Sequence, residues 1–151
     1  MASIKSFEDL KCWQEARSYC NTVYSILINN KEINDYALKN QINSASGSIM
    51  DNIAEGFGRD GNKEFRQFLT FAKGSCTETK SQLVRALDRN YISQLQFDEL
   101  CSQNVAIQKM ITGLIKYMNN SPYKGTKFME NEVSYEISKS ELISFKHELR
   151  T

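Results

Sequence analysis

The stretch GSIMDNIAEGFGRDGNKEF is the part of the sequence that comes nearest to a phosphate-binding loop. Gly56 is followed by Gly61 after four residues, and Lys63 comes two positions later. A Walker-type loop needs its lysine directly after the second glycine, then Ser or Thr, and a strand before the first glycine. Because the residues before Gly56 have helical periodicity, we interpret this stretch as the end of one helix, a turn and the start of another.

A row of polar side chains follows the predicted second and third helices. At about 100° per residue, the polar positions of the second helix fall beside its apolar stripe. Groups placed there are partly desolvated and need hydrogen-bond partners, which the third helix can supply next to Gly74. We therefore predict an interhelix or intersubunit polar network, whose members are Gln41, Ser48, Asn52, Glu55, Ser75 and Glu78.

Glu55 and Glu78 are also candidates for a carboxylate pair that could do acid–base chemistry or bind a metal. Metal sites of the ferritin type in helix bundles need Glu-x-x-His pairs on two helices. The chain has one histidine, His147, and therefore cannot form such a site. We predict no catalytic residue, no metal site and no cofactor, and we expect that the protein is not an enzyme.

Cations recur at seven-residue steps along the predicted third helix. Between Arg59 and Arg89, seven basic and four acidic residues give a net charge of +3, although the whole chain has a formal charge of +1. On one continuous helix the cations form a line about 80° from the centre of the apolar stripe. We predict that this line binds phosphates; the alternative is a solvated surface with internal ion pairs. Its members are Arg59, Lys63, Arg66, Lys73 and Lys80.

The composition indicates one soluble globular domain. The chain has 151 residues, of which 40% are hydrophobic, with one proline and seven glycines, and this favours long helices. Its 19 basic and 18 acidic residues nearly balance, so any electrostatic recognition of nucleic acid has to come from a local patch. The four cysteines form no CxxC pair and no signal sequence is evident, which predicts reduced thiols and a cytoplasmic location. No apolar run approaches the roughly 20 residues that cross a bilayer, so we predict no membrane association.

Apolar residues at three- and four-residue steps predict four amphipathic helices. Their expected limits are Phe7 to about 30, about 34 to Gly56, about 62 to 90, and about 93 to 119. We expect the second helix to end at Gly56 in the left-handed geometry that glycine tolerates. The N-cap of the third helix is expected at Asp60 or Asn62.

Short connections make consecutive helices run side by side in opposite directions. The sequence therefore predicts an all-α fold, an antiparallel up-down four-helix bundle over residues 1–120 with a C-terminal tail. The tail, residues 121–151, has no sustained apolar stripe, and we predict a mobile or partner-docking segment.

Three motifs occur in a fixed order and spacing: FEDLKCWQEA at 7–16, LKNQINSASGSIMDNIAEGFGR at 38–59 and FRQFLTFAKGSCTET at 65–79. In these motifs the chain resembles the small bacterial four-helix-bundle proteins that are encoded by intervening sequences in 23S ribosomal RNA genes. The resemblance implies a ring-shaped homopentamer. It also implies a similarity to accessory proteins of diversity-generating retroelements, which bind nucleic acid and a reverse transcriptase. The resemblance implies no established activity.

Two departures from this family pattern are visible. The sequence has NNKEINDY where the family usually places a proline between the first two helices, and its segment after Ser121 is longer than usual. Taken together, the patterns predict a non-enzymatic, homo-oligomeric bundle that binds RNA or another nucleic acid through the basic line. The alternative is an oligomeric scaffold that binds a protein partner, such as a polymerase, without contacting nucleic acid.

Overall fold

Four α-helices make up most of the described chain. A computed structural model describes residues 4–120, and within this range it contains helices and turns but no strand. The helices are α1 (Lys11–Val23), α2 (Tyr36–Phe57), α3 (Asn62–Asp88) and α4 (Gln94–Asn120). A 3₁₀ turn, Phe7–Asp9, precedes α1, and a π-helical segment, Tyr24–Ile28, continues it. The predicted all-α fold is confirmed, whereas the predicted tail lies outside the described residues.

Helices α2 and α3 run in opposite directions along their whole shared length. The N-cap of α2 meets the end of α3, where Arg89 donates to Asp35 at 2.7 Å. Further along the pair, Arg85 donates to the side-chain oxygen of Gln41 at 2.8 Å. From the first contact to the second, the residue number rises in α2 and falls in α3. The two helices are therefore antiparallel, as predicted.

Helix α4 packs against both α3 and α1, which closes the bundle. The side chain of Asn104 donates to the backbone carbonyl of Cys76 at 2.9 Å. Arg66, earlier in α3, contacts Asn119, later in α4. These two contacts show that α3 and α4 are also antiparallel, so the up-down order holds for the described residues.

One stripe from each helix forms the core. The stripe predicted for α3 is completely buried along its length, which fixes the rotation of that helix about its axis. In α1 the three- and four-residue steps from Trp13 to Ala16, Cys20 and Val23 predict Cys20 in the core, but Tyr19 is buried and Cys20 is half-buried. Complete burial of one large apolar side chain contributes about 1.5–3 kcal/mol. The buried α3 stripe consists of Phe65, Leu69, Ala72, Cys76, Thr79, Leu83 and Ala86.

A buried polar cluster lies within this core and is centred on Asn104. Asn104 donates to the Tyr19 hydroxyl at 3.1 Å as well as to the Cys76 carbonyl, and it accepts from Gln108 at 2.8 Å. Burial raises the pKa of the Tyr19 hydroxyl, and it raises the pKa of the Cys76 thiol to about 12. Because a buried polar group that loses its partner is costly, these bonds favour one arrangement of α1, α3 and α4.

Gly56 is required by close packing and does not end its helix. The sequence predicts a left-handed helix end at this residue, but α2 continues to Phe57, and its C-cap, Gly58, has a φ of −72° in the right-handed region. That prediction is wrong. A Cβ on Gly56 would lie 2.5 Å from the Cβ of Phe68 on α3, a distance that real Cβ contacts do not reach. The glycine therefore lets α2 and α3 approach each other closely.

The start of α2 agrees with the sequence prediction, whereas the N-cap of α3 differs from it. Asp35 caps α2, because its carboxylate accepts from the backbone N–H of Leu38 at 3.1 Å. The N-cap of α3 is Gly61, so the predicted caps Asp60 and Asn62 are not used. A glycine supplies no side-chain acceptor, so α3 begins without the side-chain cap that the sequence predicts.

Candidate nucleic-acid interface

Helix α3 has two lateral edges, one beside α2 and one beside α4, because its buried stripe points toward the bundle axis. We call one row of cations the basic edge: Arg66, Lys73 and Lys80 on the α4 side, together with Lys63 on the outward face of the first turn. At about 100° per residue, the first three lie within about 40° of one another, and Lys63 lies within about 60° of Arg66. The opposite side of α3 is called the α2 edge.

Arg66 places the start of the basic edge against the end of α4. Its Nη1 donates to the side-chain oxygen of Asn119, and its Nε donates to the backbone carbonyl of Asn62 at 3.3 Å. Both acceptors are neutral groups, so they orient the guanidinium without balancing its charge. The remaining N–H groups form part of a planar fork, a geometry that suits phosphate oxygens.

Lys73 and Lys80 continue the basic edge at seven-residue steps, each of about 10.5 Å along a helix. Lys73 is half-buried, and Lys80 is exposed. Lys80 lines a shallow groove together with Asp98 and Glu99 of α4. These two carboxylates of α4 weaken the positive field near Lys80.

The basic edge contains no ion pair within residues 4–120. Using a limit of 4.0 Å between nitrogen and oxygen, no described carboxylate pairs with any of its four cations. The internal ion pairs of the alternative interpretation are therefore not formed by the described residues at this edge. Four cations without a carboxylate partner among the described residues give a positive row in a nearly neutral chain.

Arg59 does not join the basic edge, contrary to the predicted line. It lies in the turn between α2 and α3, so the helical spacing does not extend to it. Its Nη2 donates to Glu55 at 3.0 Å, and its guanidinium lies 5.3 Å from the centre of the Phe68 ring. Phe68 is on the α2 edge, and the ion pair with Glu55 neutralises much of the charge that Arg59 would offer to a ligand.

The predicted polar network is only partly formed within one chain. Gln41 bonds across to α3, but its partner is Arg85, which the prediction did not include. The other members bond within their own helices or turn, and no hydrogen bond between residues 4–120 joins the α2 members to the α3 members. The observed local bonds are Asn52 to the Ser48 carbonyl, Arg59 to Glu55, Thr79 to the Ser75 carbonyl, and Gln82 to Glu78. A network between subunits stays a prediction.

Glu55 and Glu78 are too far apart to act on one atom. Gly56 contacts Phe68, and Gln41 bonds to Arg85, so Glu78 lies opposite a position about eight residues before Glu55. Eight residues of helix correspond to about 12 Å. This separation, together with the Arg59 partner of Glu55, disfavours a carboxylate pair.

A second shallow groove lies on the α2 edge, where α3 exposes small and polar residues. Its lining includes Gln82, which is 6% exposed and whose Oε1 has no hydrogen-bond partner within the described chain. Gly74 lies in the same groove, and a Cβ added there would meet nothing within 4 Å. Phe71, on the same side of α3, is 47% exposed. An exposed aromatic ring beside an open backbone is typical of a protein-binding surface. The groove is lined by Gln41, Gly74, Thr77, Glu78, Ser81, Gln82 and Arg85.

Sequence reasoning missed the contacts that join the helix ends. Asp35 accepts from both Arg89 and the Tyr91 hydroxyl, the latter at 3.1 Å, which ties the start of α2 to the α3–α4 connection. An aspartate at a helix start predicts the cap itself. It does not reveal partners more than 50 positions away.

Neither a metal-ligating cluster nor a membrane-spanning helix occurs within residues 4–120. No group of three or more His, Cys, Asp or Glu side chains there could hold a metal ion. No disulfide joins the four cysteines, Cys12, Cys20, Cys76 and Cys101, all of which lie within residues 4–120. No described helix is long and apolar enough to cross a membrane. The cytoplasmic location stays a prediction.

Comparison with known proteins supports the fold and identifies the family. A crystal structure of a protein of unknown function from Bacteroides thetaiotaomicron, assigned to the S23 ribosomal protein family, superposes with a TM-score of 0.63. The two sequences are 21% identical, and the match covers 70% of this chain and 98% of that one. At this identity the match shows the fold alone. No protein with curated annotation gives a significant match. The sequence model for the 23S rRNA-intervening sequence proteins matches residues 8–113, and the chain therefore belongs to that family.

Proposed function

We propose that this protein is a non-enzymatic, homo-oligomeric helical bundle that binds RNA or another nucleic acid through the basic edge. The observation that carries the proposal is the absence of any carboxylate partner for the four cations of this edge within residues 4–120. Elsewhere the described arginines Arg59 and Arg89 are paired with carboxylates. Unpaired cations in a row attract phosphates, and each contact gains from the release of condensed counterions.

In the proposed binding mode the protein contacts the phosphate backbone of the nucleic acid. Lysine offers a point charge, and the free part of the Arg66 guanidinium suits a phosphate fork, while neither group is held in a pocket shaped for a base. Binding should therefore depend weakly on sequence and strongly on salt concentration.

Assembly of several copies into an oligomer would strengthen the binding of phosphates. The family resemblance implies a homopentamer, and a symmetric ring repeats the basic edge once in every subunit. Several edges on one assembly add their phosphate contacts and raise the local positive field. A role like that of the accessory proteins of diversity-generating retroelements would use the same surface, and it is part of this proposal.

The absence of enzymatic activity is also proposed, on the basis of the carboxylate geometry. Glu55 is held by Arg59, and Glu78 accepts a weak hydrogen bond from Gln82 at 3.4 Å. With about 12 Å between them along the bundle at 1.5 Å per residue, they cannot share a substrate atom.

A charge-reversal titration tests the nucleic-acid proposal. The double variant Arg66→Glu and Lys73→Glu and the unmodified chain are titrated with a fluorescent single-stranded RNA at two salt concentrations. Two lost charge-assisted contacts of about 1.5 kcal/mol each correspond to about a 100-fold weaker affinity. The unmodified chain should also lose affinity as salt rises.

The matched control is the double variant Lys5→Glu and Lys31→Glu, which makes the same charge change at exposed positions away from the basic edge. It should retain most of the affinity. Equal losses in both double variants, or no binding by the unmodified chain, would overturn the proposal.

A second candidate function is an oligomeric scaffold for a protein partner, favoured by the exposed Phe71 and the open backbone at Gly74 on the α2 edge. Such a surface is more typical of a protein interface than of a phosphate track. Pull-down before and after nuclease treatment separates the two functions. A partner that is retained after nuclease treatment and lost in Phe71→Ser supports the scaffold.

A further inference from the structure

We propose that the α2 edge of one chain pairs with the α2 edge of a second copy, so that the two α3 helices lie antiparallel across a two-fold axis beside Ser81 and Gln82. This inference deepens the homo-oligomeric part of the proposed function and does not depend on nucleic-acid binding. It follows from two charges of the edge, from an acceptor that lacks a donor, and from the small residues between them.

Two opposite charges of the α2 edge have only neutral hydrogen-bond partners within residues 4–120. Glu78 accepts a long hydrogen bond from Gln82 at 3.4 Å, and Arg85 donates to Gln41 at 2.8 Å. Neither side chain has an ion-pair partner within 4.0 Å among the described residues. Their seven-residue spacing corresponds to about 10.5 Å along the helix, so they cannot pair with each other. The edge therefore offers one unbalanced acid and one unbalanced base.

The spacing of these two charges makes the α2 edge complementary to itself. At about 100° per residue, Glu78 and Arg85 lie within about 20° of each other around α3. When two copies of the helix meet antiparallel across a two-fold axis midway between these residues, Glu78 of each copy faces Arg85 of the other. One contact then forms two ion pairs, and these pairs fix its register. A partner of another sequence would have to match both charges, whereas a second copy matches them by symmetry.

The same axis places a donor beside an acceptor that lacks one. Gln82 lines the groove of the α2 edge and is 6% exposed, and its Oε1 has no hydrogen-bond partner within the described chain. A buried acceptor in this state is costly. In the antiparallel pairing, Ser81 of the second copy lies opposite Gln82, and the Ser81 hydroxyl forms no hydrogen bond with residues 4–120. A turn of the Gln82 carboxamide brings Oε1 to this hydroxyl and releases Glu78 to Arg85 of the second copy.

Small side chains allow the two helices to approach closely. Gly74, Thr77 and Ser81 line the groove, and a Cβ added to Gly74 would meet nothing within 4 Å. The Thr77 hydroxyl donates to the Lys73 carbonyl of its own helix at 3.2 Å, so it is already bonded when the helices meet. Gly, Thr and Ser are weaker helix formers than Ala, and exposed helix positions favour strong helix formers. A close helix–helix contact explains why these residue types occupy the middle of an exposed face.

The pairing leaves the basic edge open. Lys73 and Lys80 lie about 120° or more around α3 from Glu78 and Arg85. A two-fold contact cannot close a five-membered ring, because neighbours in such a ring are related by a five-fold axis. It can join chains of two rings, and an assembly in which every chain uses it contains an even number of chains.

Charge reversal in the full chain tests the pairing. Glu78→Arg alone places arginines opposite each other in both pairs, and Arg85→Glu alone places glutamates opposite each other. Each variant should self-associate at least about tenfold more weakly than the unmodified chain in sedimentation equilibrium. An equimolar mixture of the two variants contains only opposite-charge pairs across the contact, so its association should return to about that of the unmodified chain. Restored association also shows that both variants are folded.

Lys5→Glu and Glu32→Arg are the matched controls, because they make the same charge changes at exposed positions outside α3. They should associate as the unmodified chain does, alone and mixed. Glu78→Gln and Arg85→Gln remove one charge without repulsion and should weaken association by a smaller factor. Reversal variants that associate normally, or a mixture that is not restored, would overturn the pairing. An odd number of chains at every protein concentration would also overturn it.

These measurements use no nucleic acid and therefore separate this inference from the proposed function. Association that depends on Glu78 and Arg85, without RNA binding by any variant, would support the pairing while rejecting the nucleic-acid function. A ring of five chains that binds RNA and is indifferent to both residues would reject the pairing and keep the proposed function.

Discussion

The two edges of α3 carry similar residues but use them differently. On the α2 edge the arginines contact acceptors of α2 or its N-cap: Arg85 bonds to Gln41, and Arg89 bonds to Asp35. On the α4 side, the described partners of Arg66 are a carboxamide and a backbone carbonyl. The comparison teaches that a cation of α3 is available to a ligand only where the neighbouring helix supplies no carboxylate that pairs with it. The number of cations along an edge does not decide this alone.

The largest expected difference in stability concerns two glycines, Gly56 of α2, which packs against α3, and Gly74 on the α2 edge of α3. Gly56→Ala would place a Cβ 2.5 Å from Phe68, whereas Gly74→Ala would meet nothing within 4 Å. Overpacking costs about 1–3 kcal/mol, and replacing a helical glycine by alanine returns about 0.5–1 kcal/mol. Urea denaturation should therefore show a loss of about 1–2 kcal/mol for Gly56→Ala and a gain of up to about 1 kcal/mol for Gly74→Ala.

The glycine pair also sharpens the role of the α2 edge. If another subunit packs against Gly74, the added methyl group will clash there and Gly74→Ala will lose stability at high protein concentration. A Gly56→Ala variant that is as stable as the unmodified chain would contradict the packing described for Gly56.

A smaller effect is expected when the α2 edge loses its ion pair at low pH. The backbone N–H of Leu38 holds the pKa of Asp35 below its ordinary value of 3.8, with Tyr91 and Arg89 adding to the effect. A lowered folded-state pKa contributes stability above the unfolded value, and this contribution is lost as the pH falls through the folded value. Acid should therefore destabilise the unmodified chain more than Asp35→Asn below about pH 4.

Thermal unfolding between pH 6 and pH 3 measures this difference, with Asp88→Asn as the control at an exposed acid at the end of α3. The interpretation fails if Asp35→Asn and the unmodified chain lose stability in parallel.

Periodicity predicted most of the fold because the core is mainly apolar. Phe65, Leu69 and Leu83 lie where a 3.6-residue repeat places them, and all are fully buried. The same method could not predict Asn104, since its burial depends on partners in α1 and α3. Sequence spacing says which residues share a face, but it does not say which polar residue finds a buried partner.

The candidate site shows the same boundary between what spacing can and cannot predict. Seven-residue steps placed Arg66, Lys73 and Lys80 on one side of α3 because all three lie within one uninterrupted helix. Arg59 has the same step from Arg66, yet a turn intervenes and directs it toward Glu55 and Phe68. The sequence pattern drew attention to Gly56 as a helix end. Its tight contact with Phe68 is a tertiary feature that a rule for helix ends does not predict.

The most direct test of the central claim is the salt dependence of single-stranded RNA binding by the full chain and its Lys73→Gln and Lys31→Gln variants. For a single strand, each phosphate contact contributes about −0.7 to the slope of log affinity against log salt. Removal of Lys73 should make the slope shallower by about 0.7, whereas removal of Lys31 should leave it unchanged. Identical slopes for all three proteins would contradict a phosphate-binding role for the basic edge.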